Sequence, residues 1–446
     1  MMTHYDTIVI GGGPAGLAAA YPLKAAGQTV LVVENDLWGG TCPNRGCDPK
    51  KMLYTSVAAQ DLTQQMQQHG LTGLPQVDWP ALMAFKNTYT DKVPNNTLAG
   101  LKATGIDTAA GTAQFQDERT LTVGTTDYTA DQFVIATGQQ PALLPMKGQQ
   151  YLKTSNDFLD LKTLPKRITF IGAGYIAIEL ANIAATAGAQ VHIVQHNDRL
   201  LRQFPQTYTQ KLAELLTQQK QIQFDYNVEI ETITSEADGY HLQGTNGYQA
   251  TTDLVIDATG RTPNVTALQL GNAGVTTDRH GVVVNDHLQS SNSRVYAVGD
   301  VVSKSQPKLT PVASFEGGYL GQLLTGQTTA TIAYPTIPTI VYASPKLAMA
   351  GVSLETAQQN PAHYQVTTQD VTSWFTYMRI REPYAQVSTI TDQQTGLLVG
   401  AVVLSESADR LINDFVVMID QKTPAAQISK RIMTYPTVES DLSYFY

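Results

Sequence analysis

Two glycine-rich turns fix most of what this chain can fold into. The first, Gly11-Gly12-Gly13-Pro14-Ala15-Gly16, follows the β-branched strand Thr7–Ile10 and opens an alanine-rich helix. Glycines there permit a tight turn and let a pyrophosphate approach the backbone at a helix N-terminus. Gly11, Gly13, Pro14, Ala15 and Gly16 are therefore expected to hold a dinucleotide. The next strand, Thr29 to Val33, ends at Glu34, placed to bind a ribose hydroxyl. The pattern recurs in strand Arg167–Ile171, turn Gly172-Ala173-Gly174-Tyr175-Ile176-Ala177 and strand Val191–Val194, which ends at Gln195. Gln195 stands at the same offset from Gly172 as Glu34 does from Gly11, so the acid that would repel a ribose 2′-phosphate is missing from the second site. His196, Arg199 and Arg202 follow closely and could pair with that phosphate, which favours NADPH over NADH; solvated loop charges are the alternative.

The chain has 446 residues, enough for about three domains of roughly 150 residues each. A net charge of −9 argues against nucleic acid or an anionic membrane as the main partner. No apolar run is long enough to span a bilayer. The start, Met1-Met2-Thr3-His4-Tyr5-Asp6, runs straight into a strand and leaves no room for a signal peptide, which places the protein in the cytoplasm. Structural disulfides are rare there, so the two cysteines, Cys42 and Cys47, are expected to be catalytic or metal-binding. Without a nearby histidine they make a poor zinc site, and no metal is expected.

The cysteines lie in Gly39-Gly40-Thr41-Cys42-Pro43-Asn44-Arg45-Gly46-Cys47-Asp48-Pro49-Lys50, just after the first fingerprint. A helix is predicted to run through Lys50-Lys51-Met52-Leu53. A helix N-terminus with two lysines in its first turn lowers a thiol pKa. Arg45 inside this loop could lower the Cys42 pKa, recognise an anion, or be a solvated charge. Further on, Ala136-Thr137-Gly138-Gln139-Gln140-Pro141 and Ala258-Thr259-Gly260-Arg261-Thr262-Pro263 are near-copies, each after an apolar strand, as in two related modules. Val295–Asp300 reads as a strand ending in an acid that could accept hydrogen bonds from a flavin's ribityl chain.

Together these residues resemble the flavin-dependent pyridine nucleotide–disulfide oxidoreductases, the glutathione reductase, dihydrolipoamide dehydrogenase and mercuric reductase group. The resemblance runs through essentially the whole chain. It implies an α/β fold of two Rossmann-like dinucleotide-binding domains plus a C-terminal α+β dimerisation domain. FAD would bind a domain of residues 1–148 completed by 265–331, NADPH would bind 149–264, and 332–446 would form the interface of a homodimer. NADPH would reduce the flavin, and the flavin a Cys42–Cys47 disulfide. Cys47 would be the thiolate beside the flavin, and Cys42 would attack the substrate. Lys50 matches the lysine near flavin N5, Glu179 its carboxylate partner, and Tyr175 the gate of the nicotinamide pocket. Gly40, Thr41, Ala113, Thr137, Gly138, Asp300, Thr310 and Ala313 are implied for FAD, and Gly260 for NADPH.

The chain departs from this pattern near its C-terminus. It reads Tyr435-Pro436-Thr437-Val438-Glu439, with tyrosine where disulfide reductases keep their acid–base histidine and the acid one position early. Tyrosine, whose phenol ordinarily titrates at about pH 10, is a poor base at neutral pH. An activated disulfide, a soft metal ion, a quinone or another small oxidant would suffer least from the loss. The positions that match the substrate-binding arginines of glutathione reductases are Tyr21 and about Gly318. Mercuric reductases share the tyrosine but deliver metal through a C-terminal cysteine pair, whereas this chain ends Ser443-Tyr444-Phe445-Tyr446. A non-catalytic, flavin-binding redox sensor is the alternative of a different class; Cys42, Cys47, Lys50 and Glu179 together argue against it.

Overall fold

The first fingerprint strand, Thr3–Ile10, is central to a seven-stranded sheet in the computed structural model, which describes residues 3–446. Met1 and Met2, the start of the expected leaderless N-terminus, lie outside the described residues. The described residues divide into two compact units, the first formed by residues 3–51, 84–142 and 261–333 and the second by 52–83, 143–260 and 334–446. By this division the first unit breaks at 142 and resumes at 261, and residues 52–83 pack with the second unit.

In the first unit, Val30–Glu34 and Thr126–Ile135 flank Thr3–Ile10 in parallel, with Ile10 opposite both Val33 and Ile135. Val295–Ala297 extends the sheet parallel to Thr126–Ile135, and Thr120–Val123 pairs with it antiparallel. A parallel sheet buried on both faces needs strands apolar throughout, as Ile8, Val9, Ile10, Val32, Val33, Val134 and Ile135 are. The helices Pro14–Ala25 and Thr310–Leu324 pack closely because their contact is made of small residues. A Cβ on Gly317 would lie 2.3 Å from the Ala15 carbonyl oxygen. The near-copies found in the sequence meet one another: Gln139–Pro141 and Arg261–Pro263 form a two-stranded antiparallel ribbon, with Arg261 opposite Pro141.

In the second unit, Arg167–Ile171 lies between Gln190–Gln195 and Leu254–Asp257 in a four-stranded parallel sheet completed by Gln223–Tyr226. A separate five-stranded antiparallel sheet runs Thr339–Val341, Leu347–Gly351, Leu398–Leu404, Gln386–Asp392, Tyr364–Asp370. The amphipathic helix Ala408–Asp420 covers it, burying Leu411, Ile412, Phe415 and Met418. Helix Cys47–Gln65, which starts at a cysteine, has its far end anchored in this unit. There Lys220 makes an ion pair with Asp61 in which both side chains are almost wholly buried. Asp61 also accepts the Ser344 hydroxyl at 2.5 Å, and Asn182 donates to Ser344 at 3.0 Å.

Candidate active site

Each fingerprint builds a helix N-terminus that no side chain caps. Gly13 is the N-cap of Pro14–Ala25 and Gly174 that of Tyr175–Thr186, and neither helix receives a side-chain cap bond. The turn before each requires glycine: Gly11 and Gly172 have φ of +115° and +97°, and a Cβ on Gly11 would meet the Ala136 oxygen at 2.3 Å. Around Gly174 and Gly260 a Cβ would meet nothing within 4 Å, which leaves the backbone open to a ligand. Uncapped amides at an open, positively polarised helix end fit a pyrophosphate. Glu34 ends its strand as expected, accepting the Gly12 and Asp36 N–H groups at 2.8 and 2.9 Å. Burial pushes its carboxyl up, against the pull of those N–H donors.

At the second fingerprint Gln195 ends its strand. Its amide donates to Asn197 Oδ1 at 2.9 Å and to the Arg199 carbonyl at 3.2 Å, which folds the following loop back on itself. His196 and Arg202 are exposed, and His196 lies 3.0 Å from the Asn197 amide nitrogen. Arg199 Nε is buried with no hydrogen-bond partner, a donor in want of an acceptor. Ala173 is buried, Ile176 is partly buried, and Tyr175 is exposed at the start of its helix. Glu179, 2% exposed, accepts the Tyr342 N–H at 3.1 Å.

The cysteine loop is a single helical turn, Thr41–Arg45, followed after Gly46 by the long helix from Cys47. Gly40, with φ of +70°, approaches Gly13 so closely that a Cβ on it would lie 2.6 Å from the Gly13 Cα, which brings the loop against the first fingerprint. Both cysteines are thiols here; Cys42 is half-buried and Cys47 exposed. Cys47 Sγ is 3.7 Å from Thr310 Oγ1, at the start of helix Thr310–Leu324. The hydrogen bond with Cys42 draws the Cys47 thiol down to about 6, with help from Thr310 and from the Lys50 and Lys51 charges. The same bond, burial and the negative Cys47 push Cys42 well above the ordinary thiol range. The pair titrates as a unit, so one thiolate is shared between two sulfurs. Reduced protein should accordingly show one thiolate per chain, titrating near pH 6 by ultraviolet absorbance; no thiolate at pH 7 would contradict this.

Other expectations need correction. Arg45, read as a charge that lowers the Cys42 pKa, binds an anion or is solvated, is paired with Asp36 and is not among the groups that shift the Cys42 thiol. Asp300 does not end a strand: the strand stops at Ala297, and Asp300 sits in the 3₁₀ turn Gly299–Val301. Burial raises its carboxyl, opposed by the charges of Lys304, Arg261 and Lys308. The turn is held from below by buried Glu316, which accepts the Gly299 N–H at 2.7 Å and pairs with Lys304. A Cβ on Gly299 would touch Ala15 and Ala313, so three elements converge there. Thr137 donates to the Asn264 carbonyl at 2.7 Å beside Gly138, and Ala113 is buried in its strand.

A family profile described as pyridine nucleotide-disulphide oxidoreductase matches residues 5–317, and the dimerisation-domain profile of the same family matches 337–443. The chain belongs to this family. It is an α/β flavoenzyme of the oxidoreductase class with a C-terminal dimerisation domain, and the family's cofactors are FAD and NAD(P)H. It is 28% identical to a glutathione reductase of Nostoc sp. over 98% of both chains. It is 30% identical to a mercuric reductase of Staphylococcus aureus, over 92% of this chain and 76% of that one. Among solved structures it is similar to the HOCl-induced flavoprotein disulfide reductase RclA from Escherichia coli, with a TM-score of 0.89, 25% identity and 99% coverage of both chains. A Cu(II) complex of a cysteine-to-serine variant of that protein gives a TM-score of 0.90. No helix of the described residues is long and apolar enough to cross a membrane.

Within this disulphide oxidoreductase the C-terminal residues singled out in the sequence lie apart in character. Tyr435 is 69% exposed and stacks on Phe375, itself 50% exposed, at 6.2 Å. Glu439 is held by the Arg410 guanidinium at 2.7 and 2.8 Å. Burial pushes the Glu439 carboxyl up, but hydrogen bonds from Thr437, its own backbone and Arg410 leave it below the usual range. Sequence reasoning assigned no role to Asp48 or Tyr89. The Cys42 thiol donates to Asp48 Oδ1 at 3.9 Å, and the Tyr89 hydroxyl donates to Asp48 Oδ2 at 2.5 Å. The available signal was an aspartate directly after the second cysteine; Tyr89, in helix Trp79–Thr90, gave none.

Proposed function

We propose that this protein is a cytoplasmic, homodimeric NADPH-dependent disulfide reductase in which Cys42 and Cys47 are the redox pair. The supporting observation is the cysteine pair itself. Two thiols with opposite pKa shifts share one hydrogen bond at the start of a helix and lie against the fingerprint turn. Bound FAD would take a hydride from NADPH and pass two electrons to the Cys42–Cys47 disulfide. Gly11, Gly13, Pro14, Ala15, Gly16, Glu34, Gly40, Thr41, Ala113, Thr137, Gly138, Asp300, Thr310 and Ala313 are the residues we assign to FAD. Gly172, Ala173, Gly174, Tyr175, Ile176, His196, Arg199, Arg202 and Gly260 are assigned to NADPH. The buried Arg199 Nε and the absence of an acid at Gln195 support a 2′-phosphate there. Lys50, also buried, is assigned to FAD, and buried Glu179 to NADPH.

In the second half of the reaction the Cys42 sulfur attacks a substrate disulfide RS–SR. The S–S bond breaks, a Cys42–S–SR mixed disulfide forms, and RS⁻ leaves. The Cys47 thiolate then attacks Cys42 Sγ, closing the internal disulfide and expelling the second RS⁻. Both leaving thiolates take up protons, and the sum is NADPH + H⁺ + RSSR giving NADP⁺ and two RSH. The exposed apolar side chains Phe375, Met378, Val417, Ile432 and Tyr435 support a partner subunit covering this region of the dimerisation domain. Tyr435, at the histidine position, and Glu439 are assigned to the active site of that partner.

The test is steady-state NADPH oxidation by the holoenzyme with glutathione disulfide and an aromatic disulfide side by side. The aromatic disulfide, whose thiol is the better leaving group, should turn over faster, and NADPH should be preferred to NADH. Turnover of neither would overturn the reading. A second reading, reduction of a soft metal ion, is favoured by the Cu(II) complex of the similar E. coli protein. It predicts faster NADPH oxidation with that ion than with either disulfide.

A further inference from the structure

We propose that Asp48 is the acid–base group of Cys42, held in position by Tyr89. The inference rests on the disulfide-reductase reading above and adds a proton acceptor from the same subunit as the attacking sulfur. A phenol of ordinary acidity is a poor acceptor for a thiol proton at neutral pH. The geometry at Cys42 has the three parts of an activated nucleophile: a thiol, a base that it donates to, and a third group that orients the base. Cys42 Sγ donates to Asp48 Oδ1 at 3.9 Å, and Tyr89 Oη donates to the other oxygen, Oδ2, at 2.5 Å. The two bonds fix the carboxylate plane between sulfur and phenol.

The carboxylate sits at a helix end that favours a negative charge. Asp48 is the second residue of the 19-residue helix Cys47–Gln65, where the N-terminal dipole stabilises an anion. The hydrogen bond to Asp48 pushes the Tyr89 hydroxyl up to about 12, so the phenol stays a donor throughout the working range. The groups acting on Cys42 are thus Cys47, Thr310 and Asp48, and Tyr89 acts on Asp48. The lysines of the same turn act on Cys47 instead, drawing its thiol down. Labour is divided between the sulfurs: Cys47 is already a thiolate, and Cys42 is a thiol with its own base.

The proton balance follows. As Cys42 Sγ bonds to the near sulfur of RS–SR, its proton passes to Asp48, and the departing RS⁻ takes that proton back to become RSH. Asp48 ends ionised, ready for the next turnover, and no further oxidant or reductant is involved. Asp48 touches the reacting sulfur and is therefore catalytic; Tyr89 acts through it and is a positioning residue.

The test is single-turnover reoxidation of NADPH-reduced holoenzyme by an alkyl disulfide (glutathione disulfide) and by an aromatic disulfide. In Asp48→Asn the alkyl reaction should slow by about 10²–10⁴-fold, the usual worth of general acid–base help. The aromatic reaction, whose leaving thiolate needs no proton, should slow by less than about 10-fold. Asp48→Glu should recover much of the alkyl rate. Tyr89→Phe should show a smaller loss with the same bias toward the alkyl substrate. Equal losses on both disulfides in Asp48→Asn, or no loss on either, would overturn the proposal, as would a Tyr89→Phe loss without the bias. Cys42→Ser separates this from failure of the underlying reading. If that variant still reduces both disulfides, the cysteine relay itself is wrong, whatever Asp48 does.

Discussion

Cys42→Ser removes disulfide reduction, lowering NADPH-driven turnover by roughly 10⁴-fold or more, the scale on which enzymes lose activity when a nucleophile is deleted. A serine hydroxyl can donate the same hydrogen bond to Asp48 but is a weak nucleophile at its free pKa. Cys47→Ser should fail differently. Cys42 still attacks one disulfide, but no second thiolate resolves the adduct. The protein should then stop after one event with a mixed disulfide on Cys42, visible as a mass increase equal to one substrate thiol. The pair of variants therefore assigns the two roles separately. The exposed Cys47 and its low pKa would also suit an attacking thiolate, and an adduct trapped on Cys47 in Cys42→Ser would reverse the assignment. The contact of Cys47 with Thr310 and of Cys42 with Asp48 is the reason to expect the order given.

The second large effect is on stability. Lys220→Met should destabilise the protein by about 3–5 kcal/mol, because it leaves Asp61 as a buried carboxylate without its ammonium partner. The side chains are only 4% and 8% exposed, so water cannot replace the lost charge. Lys220 is also the last residue of helix Gln206–Lys220, where a cation favours the C-terminal dipole, and methionine forfeits that too. At roughly 2–4 °C per kcal/mol for a unit of this size, the melt should fall by about 6–20 °C. The double variant Asp61→Asn/Lys220→Met should regain most of the loss, since asparagine is neutral and can still accept the Ser344 hydroxyl. An unchanged melt in the single variant would mean that Asp61 does not depend on Lys220.

Much of the fold was legible because glycine has few substitutes. A turn with φ near +100° before a helix narrows the residue choice to one, and both fingerprints, their strands and the polar residues that end them lie where the sequence put them. The site was legible where it is local in sequence: two cysteines, the loop between them and the lysines of the next turn. It was illegible where partners come from afar. Asp48 and Tyr89 are 41 residues apart and Asp61 and Lys220 are 159 apart, and no periodicity links either pair. Arg45 was ambiguous for the same reason, since its partner Asp36 lies across a turn whose path the sequence does not specify. Asp300 was misplaced by one element because an apolar run continues past the last strand pairing, through Val298, into the turn.

The ribbon of Gln139–Pro141 and Arg261–Pro263 has a consequence for how the chain is assembled. It holds the chain on either side of one of the first unit's two interruptions together, so the 118 residues from 143 to 260 begin and end at neighbouring positions. The closure entropy of whatever lies between grows only with the logarithm of its length, by about 0.6 kcal/mol per doubling. A longer or shorter segment between the two strands would leave the ribbon nearly as easy to close as it is now.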